Sequence, residues 1–90
     1  MDIKPEDSFI EYPCSFPIKV MGKTVPEFAQ TLTNVVLEHD PNFDPATLEI
    51  RPSPKGNYTS LTFFIWATSR EQLDTIYKAV HGHPLVSFVL

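Results

Sequence analysis

The chain has 90 residues, a formal net charge of −4 at pH 7 and a hydrophobic content of 42%. This length predicts one domain with one core, and the composition excludes a disordered chain. The acidic balance disfavours a polyanionic partner such as a nucleic acid, because phosphate binding needs clustered lysine and arginine. The single cysteine, Cys14, excludes an internal disulfide.

The N-terminal residues give no sign of a targeting segment. Residues 1–7 are polar and acidic and lack the apolar core of a signal peptide. No apolar run approaches the ~20 residues that a membrane span needs. We therefore expect a cytoplasmic protein, with residues 1–12 as an N-terminal extension and residues 13–90 as the folded domain.

The first two elements are a strand and a helix. Phe16, Ile18 and Val20 occupy alternate positions, which predicts a strand that ends at Gly22. Thr24 and Glu27 have the spacing of a capping box, with Pro26 in the first turn, so we expect a helix from this point. Apolar residues at helical spacing give it one apolar stripe. We expect it to end at Asp40-Pro41, because proline cannot continue the helix. The stripe consists of Phe28, Leu32, Val35, Val36 and His39.

Two strands joined by a turn come next. Leu48 and Ile50 alternate with Glu49 and Arg51, which predicts a short strand at an edge, closed by the prolines that follow. A turn rich in proline, serine, glycine and asparagine then leads into a long strand of β-branched and aromatic residues at about 58–67.

The last two elements are a helix and a strand. Thr68 as N-cap and Glu71 three residues later predict the start of the second helix. Its apolar stripe is Leu73, Ile76, Tyr77 and Val80. Gly82 is placed for the left-handed conformation that often ends helices. Residues 85–90 then form the final strand.

The resulting order, β-α-β-β-α-β, is that of a ferredoxin-like plait. This is an α+β fold with a four-stranded antiparallel sheet. The expected strand order is 4-1-3-2, and both helices lie on one face because each carries a single apolar stripe.

Alternation along the long strand predicts two different sheet faces. Leu61, Phe63, Ile65 and Ala67 are apolar and should pack under the helices, together with Phe16, Ile18, Val20, Leu48 and Ile50. Phe64 and Trp66 point to the open face, with Lys19 and Met21 beside them on the neighbouring strand. We interpret this patch as a surface for a protein partner or a second copy. The alternative is that the N-terminal extension covers it through Phe9 or Tyr12.

The turn before the long strand is the second candidate site. Gly56 and Asn57 tolerate positive φ and would present Lys55 at the tip, followed by Tyr58. The alternative is a hairpin turn whose glycine and asparagine serve backbone geometry alone. Lys-Gly before an aromatic residue also has some likeness to RNA-binding plaits, but Asn57 and Thr59 stand where those domains need aromatic residues.

The sequence predicts no catalytic or metal centre and no cofactor. His39, His81 and His83 have no carboxylate or thiolate at ligand spacing, and the first two are placed to interact with helix C-termini. Cys14 has no neighbouring base that would activate it. The acidic residues Glu38, Asp40 and Asp44 near Pro41 are interpreted as solvated.

Two motifs carry a resemblance to a known family. They are the strand end Lys19-Val20-Met21-Gly22 and the turn Pro52-Ser53-Pro54-Lys55-Gly56-Asn57-Tyr58. Together with Tyr12-Pro13 and the terminal Val89-Leu90, the chain closely resembles the YbeD-like family of small bacterial proteins of unknown function over about residues 9–90. The resemblance implies a plait similar to the ACT domains that sense amino acids. Pro54, Phe64 and Trp66 depart from that pattern.

These observations lead to one functional expectation and two alternatives. We expect a non-enzymatic regulatory or adaptor domain that acts through a homodimer or a protein partner. The first alternative, which the ACT resemblance implies, is a sensor of a small metabolite such as an amino acid or organic acid. The second is an RNA-binding plait.

Overall fold

The computed structural model describes residues 11–90, which form one four-stranded sheet covered by two helices. The elements are β1 (Cys14–Lys23), α1 (Phe28–His39), a 3-10 turn (Pro45–Thr47), β2 (Glu49–Pro52), β3 (Tyr58–Ala67), α2 (Arg70–His81) and β4 (Val86–Val89). The strands lie in the order β2-β3-β1-β4, and every neighbouring pair is antiparallel. This order confirms the ferredoxin-like plait expected from the sequence.

The two central strands are much longer than the two edge strands. β1 and β3 pair along ten residues each, from Cys14 opposite Ala67 to Lys23 opposite Tyr58. β2 pairs with β3 only as far as Thr62, and β4 pairs with β1 only from Val20 onward. The end of the sheet that holds Cys14 and Ala67 is therefore only two strands wide.

The core lies between the sheet and the helices. On β3 the alternation predicted two faces, and Leu61, Phe63, Ile65 and Ala67 are fully buried as expected. α2 packs on α1, β3 and β4. The other buried apolar residues are Ile18, Val20, Phe28, Leu32, Val36, Phe43, Leu73, Ile76 and Val80.

The prediction that Ile50 belongs to the core is wrong, since 57% of its surface is exposed. The register places Ile50 opposite Leu61, on the side of the sheet that the helices occupy. However, β2 is an edge strand, and α2 packs on α1, β3 and β4 rather than on β2. Leu48, just before the strand, is only partly buried against the core.

The first helix begins without the predicted capping box. Its N-cap is Glu27, whose side chain makes no capping hydrogen bond. The Thr24 hydroxyl is instead 2.8 Å from the hydroxyl of Thr59. Thr24 thus ties the end of β1 to the start of β3, and the predicted cap is wrong because a tertiary partner competes for it.

The second helix begins one residue later than predicted and ends differently. Ser69 is the N-cap, and its hydroxyl accepts a hydrogen bond from the Gln72 N–H. The Thr68 N–H and hydroxyl donate to the Gln72 side-chain oxygen. Gly82 has φ −80°, so the left-handed C-terminus expected there is also wrong. Its N–H continues the helical pattern by donating to the Lys78 carbonyl.

Candidate functional site

The surface of the sheet opposite the helices, here called the open face, brings together the candidate residues on the strands. Strand alternation and register assign its members. They are Ser15, Pro17, Lys19, Met21 and Lys23 of β1, Glu49 and Arg51 of β2, Tyr58, Ser60, Thr62, Phe64 and Trp66 of β3, and Phe88 of β4.

An aromatic patch formed by Phe64 and Trp66 lies at the two-stranded end of this face. Trp66 is 50% exposed and Phe64 is half-buried. Across on β1 their partners are Ser15 and Pro17, which are short side chains that leave the rings accessible. Residues two apart on a strand are about 7 Å apart, so both rings project from one small area.

The backbone of Trp66 is fixed from two directions although β2 does not reach it. Its N–H donates to Oδ2 of Asp40 at 3.3 Å, and its carbonyl accepts from Nε2 of Gln72 at 3.3 Å. The two side chains come from the end of α1 and from the first turn of α2. The exposed indole therefore stands on a backbone that the helix layer holds in place.

Asp40 is buried, which contradicts its interpretation as a solvated acid. The loop after α1 folds against the uncovered edge of β3, where Asp40 meets the Trp66 N–H and the Phe43 ring packs 5.5 Å from Phe63. The Asp40 carboxylate takes the place that a longer β2 would fill. Glu38 and Asp44 are exposed as expected.

We expect Asp40→Ala to lower the free energy of unfolding by about 1–3 kcal/mol, because the Trp66 N–H loses its acceptor. Glu38→Ala, which removes an exposed acid in the last turn of α1, should change it by less than about 0.5 kcal/mol. Urea denaturation followed by far-ultraviolet circular dichroism measures both. Equal effects would show that the Asp40–Trp66 contact contributes nothing.

A shallow polar depression lies beside the aromatic patch, toward β2. It has a volume of about 340 Å³ and is lined by Lys19, Glu49, Ile50, Arg51, Ser60 and Thr62. Lys19 is opposite Thr62, which is in turn opposite Glu49, so the three form one row across the sheet. Arg51 lies in the next row, opposite Ser60. Two cations, one acid and two hydroxyls thus converge on one surface.

The register decides which predicted neighbours reach the aromatic patch. Phe64 is opposite Pro17, so Lys19 is its diagonal neighbour at about 7–8 Å. Met21 is opposite Ser60 and is about 14 Å along the strand from the Phe64 row. Met21 instead pairs with the exposed Phe88 of β4. Its predicted position beside the aromatic residues is wrong.

Backbone hydrogen bonds and one positive φ account for the conformation of the turn at residues 53–58. The Gly56 N–H donates to the Ser53 carbonyl at 2.9 Å, and the Ser53 N–H donates to the Tyr58 carbonyl at 2.8 Å. Gly56 has φ 75°, as predicted, but Asn57 does not have positive φ. The Asn57 carbonyl accepts from the Thr24 N–H at 3.0 Å. Lys55 is exposed, and its role in recognition stays a prediction.

The cysteine, histidine and tyrosine side chains that carry reactive groups make contacts within the fold. Cys14 is half-buried against the core, and Nδ1 of His83 accepts from the Leu85 N–H at 3.1 Å. Burial raises the pKa of the Tyr77 phenol above its usual value, which favours the neutral hydroxyl. Within residues 11–90, no group of three or more His, Cys, Asp or Glu residues is arranged to hold a metal ion.

The idea that the N-terminal extension covers the aromatic patch can be followed only for Tyr12. Tyr12 is partly buried against the core cluster, on the helix side of the sheet. It therefore does not lie over Phe64 or Trp66. Phe9 lies outside the described residues.

No helix within residues 11–90 has the length and apolar character to cross a membrane.

The chain matches a family model described as a protein of unknown function, DUF493, over residues 7–90. It is 68% identical over 89 residues to a UPF0250 protein of Bordetella pertussis, covering 99% of this chain and 98% of the relative. A UPF0250 protein of Paraburkholderia phytofirmans is 56% identical over 84 residues, with 93% and 94% covered. These matches confirm the resemblance to the YbeD-like family.

The fold has a counterpart among solved structures. The solution structure of protein HP0495 from H. pylori superposes with a TM-score of 0.74 at 19% sequence identity. The alignment covers 100% of this chain and 98% of that one. At this identity the likeness supports the fold alone.

Proposed function

This chain belongs to the DUF493 family of proteins of unknown function, and we propose that it is a non-catalytic regulatory or adaptor domain of the cytoplasm. In this proposal the open face binds a protein, which is either a different protein or a second copy of the chain. The helix layer supports the sheet and takes no part in binding.

One observation carries the proposal: Trp66 is half exposed while its backbone N–H and carbonyl are both held by side chains. Burying a large apolar side chain is worth about 1.5–3 kcal/mol, which the free domain forgoes at this position. Because the backbone at Trp66 is already held, binding need not order it, and tryptophan is enriched among the residues that dominate interface energies.

The test is Trp66→Ser in the full chain. We expect it to weaken partner binding or self-association by at least about 2 kcal/mol, roughly 30-fold in Kd, without loss of folding. His81→Ser is the control, because His81 is an exposed ring at the end of α2, in the helix layer and away from the open face. Self-association is measured by sedimentation, and partner binding by affinity capture from native cytosol followed by titration with the purified partner.

Two results would contradict the proposal. One is that both serine variants bind as the wild type does. The other is that the wild type sediments as a monomer at high concentration while the fluorescence of Trp66 is that of a buried indole. The latter would show that another part of the chain covers the aromatic patch.

A second candidate function is the binding of a small metabolite in the polar depression. Lys19 and Arg51 could hold a carboxylate while Glu49 meets an amino group, and all three line the same surface. A thermal-shift screen with amino acids and organic acids tests this. A ligand that stabilises the wild type but not Arg51→Ala would favour the sensor over the adaptor.

A further inference from the structure

The charges of this acidic protein are divided between its two layers. Among residues 11–90, the open face carries three cations, Lys19, Lys23 and Arg51, and a single acid, Glu49. The helices, their caps and the loop after α1 carry five exposed acids and two exposed cations. The acids are Glu27, Glu38, Asp44, Glu71 and Asp74, and the cations are Arg70 and Lys78. The open face is thus positive on a chain whose net charge is −4.

We propose that the occupant of the open face is an acidic protein segment that also carries a large apolar side chain. This inference rests on the proposed function and names its partner by charge. Complementary potentials at an interface select the partner and speed association.

The positions on β3 define the spacing such a segment needs. Phe64 and Trp66 come first, Lys19 lies beside the next row at Thr62, and Arg51 lies beside the following row at Ser60. Rows on one face of a strand are about 7 Å apart. An extended segment that places its apolar residue on the aromatic patch therefore brings acids two and four residues away to Lys19 and Arg51.

A second copy of the chain fits this face less well. A symmetric interface brings the same patch of each subunit together. It would bring six cations from two open faces into one contact, with only the two copies of Glu49 to offset them. Like charges across an interface are unfavourable.

RNA and small acids are also poorer occupants. A nucleic acid needs an extended cationic surface, whereas here Glu49 lies in the same row as Lys19 and the whole chain is acidic. A small carboxylic acid would neutralise Lys19 or Arg51 and leave Trp66 uncovered. Only a segment with both properties satisfies both parts of the face.

The experiment uses Trp66, the only tryptophan of the chain, as an internal fluorophore. The probe is a synthetic decapeptide containing Phe-Ser-Glu-Ser-Glu, and its control contains Phe-Ser-Gln-Ser-Gln. We expect the acidic peptide to shift the Trp66 emission and to bind at least about tenfold more tightly than its control at low salt. Its affinity should fall severalfold between roughly 0.05 and 0.3 M salt, because the face is exposed to solvent.

Charge reversal on the protein completes the test. Lys19→Glu combined with Arg51→Glu should weaken the acidic peptide at least about tenfold. The matched control is Arg70→Glu combined with Lys78→Glu, which changes the net charge equally on α2 and should leave affinity within about twofold. Circular dichroism confirms that both double variants fold.

The remaining outcomes overturn the inference. Equal binding of the two peptides, or no binding of either, excludes recognition by charge, as does tighter binding of a uridine oligonucleotide. A wild-type dimer that Trp66→Ser dissociates would assign the face to a second copy. If Trp66→Ser still abolishes capture of the cytosolic partner in these cases, the proposed function stands and only the acidic partner is rejected.

Discussion

Replacing Phe63 with alanine is expected to lower the free energy of unfolding by about 3–5 kcal/mol, because a large buried ring leaves a cavity that its surroundings fill only in part. Phe63 is fully buried in the centre of β3, and its ring packs 5.5 Å from that of Phe43. The loss therefore combines transfer of the ring with weakened anchoring of the loop after α1.

Thr62→Ala is the control for this measurement. Thr62 is the preceding residue of the same strand, points to the open face and is only half-buried. Its replacement should change stability by less than about 1 kcal/mol. Chemical denaturation of the two variants compares the faces directly, and equal losses would contradict the assignment of Phe63 to the buried face and Thr62 to the open face.

The faces of β3 could be predicted because a strand turns successive side chains to opposite sides. Four apolar residues at alternate positions identify the buried face of β3, and no knowledge of the neighbouring strands is needed. The same alternation failed for Ile50, because it does not report how far the helices extend over an edge strand. The width of the helix layer is a tertiary property.

The local errors at helix ends have a similar cause. Thr24 and Thr68 both have suitable side chains for N-caps, but each finds a different partner in the fold. Ser69 then caps α2. A capping pattern states which residues are able to cap. Competing partners decide which one does, and the competitor is distant for Thr24 but lies in the first turn of the same helix for Thr68.

Only some residues of the candidate site could be predicted from the sequence. Phe64, Trp66 and Lys19 were placed on the open face by alternation alone. Glu49 and Arg51 were seen as the polar positions of β2, but their meeting with Lys19 required the register of three strands. Asp40 gave no signal, because a polar residue next to proline is typical of solvated turns.

Gly22 is the position where a single added methyl group is expected to matter most. It ends the Lys19-Val20-Met21-Gly22 motif and is buried where β1 meets the turn before β4. A Cβ at this position would overlap the carbonyl oxygen of Leu85 and lie 2.8 Å from the ring of Phe28. The carbonyl belongs to the backbone, so relief requires a shift of the segment that leads into β4.

We therefore expect Gly22→Ala to lower the free energy of unfolding by about 3 kcal/mol or more, at the upper end of what overpacking costs. Gly82→Ala is the control, because Gly82 has φ −80° and its nearest contact is the Lys78 carbonyl at 3.3 Å. It should change stability by no more than about 1 kcal/mol. Thermal and urea denaturation measure both variants.

A loss of stability in Gly22→Ala would show that this end of the Lys19-Val20-Met21-Gly22 motif serves close packing, which leaves recognition to the side chains of the open face. A Gly22→Ala variant that keeps wild-type stability but loses partner binding would instead place the motif itself in the interface.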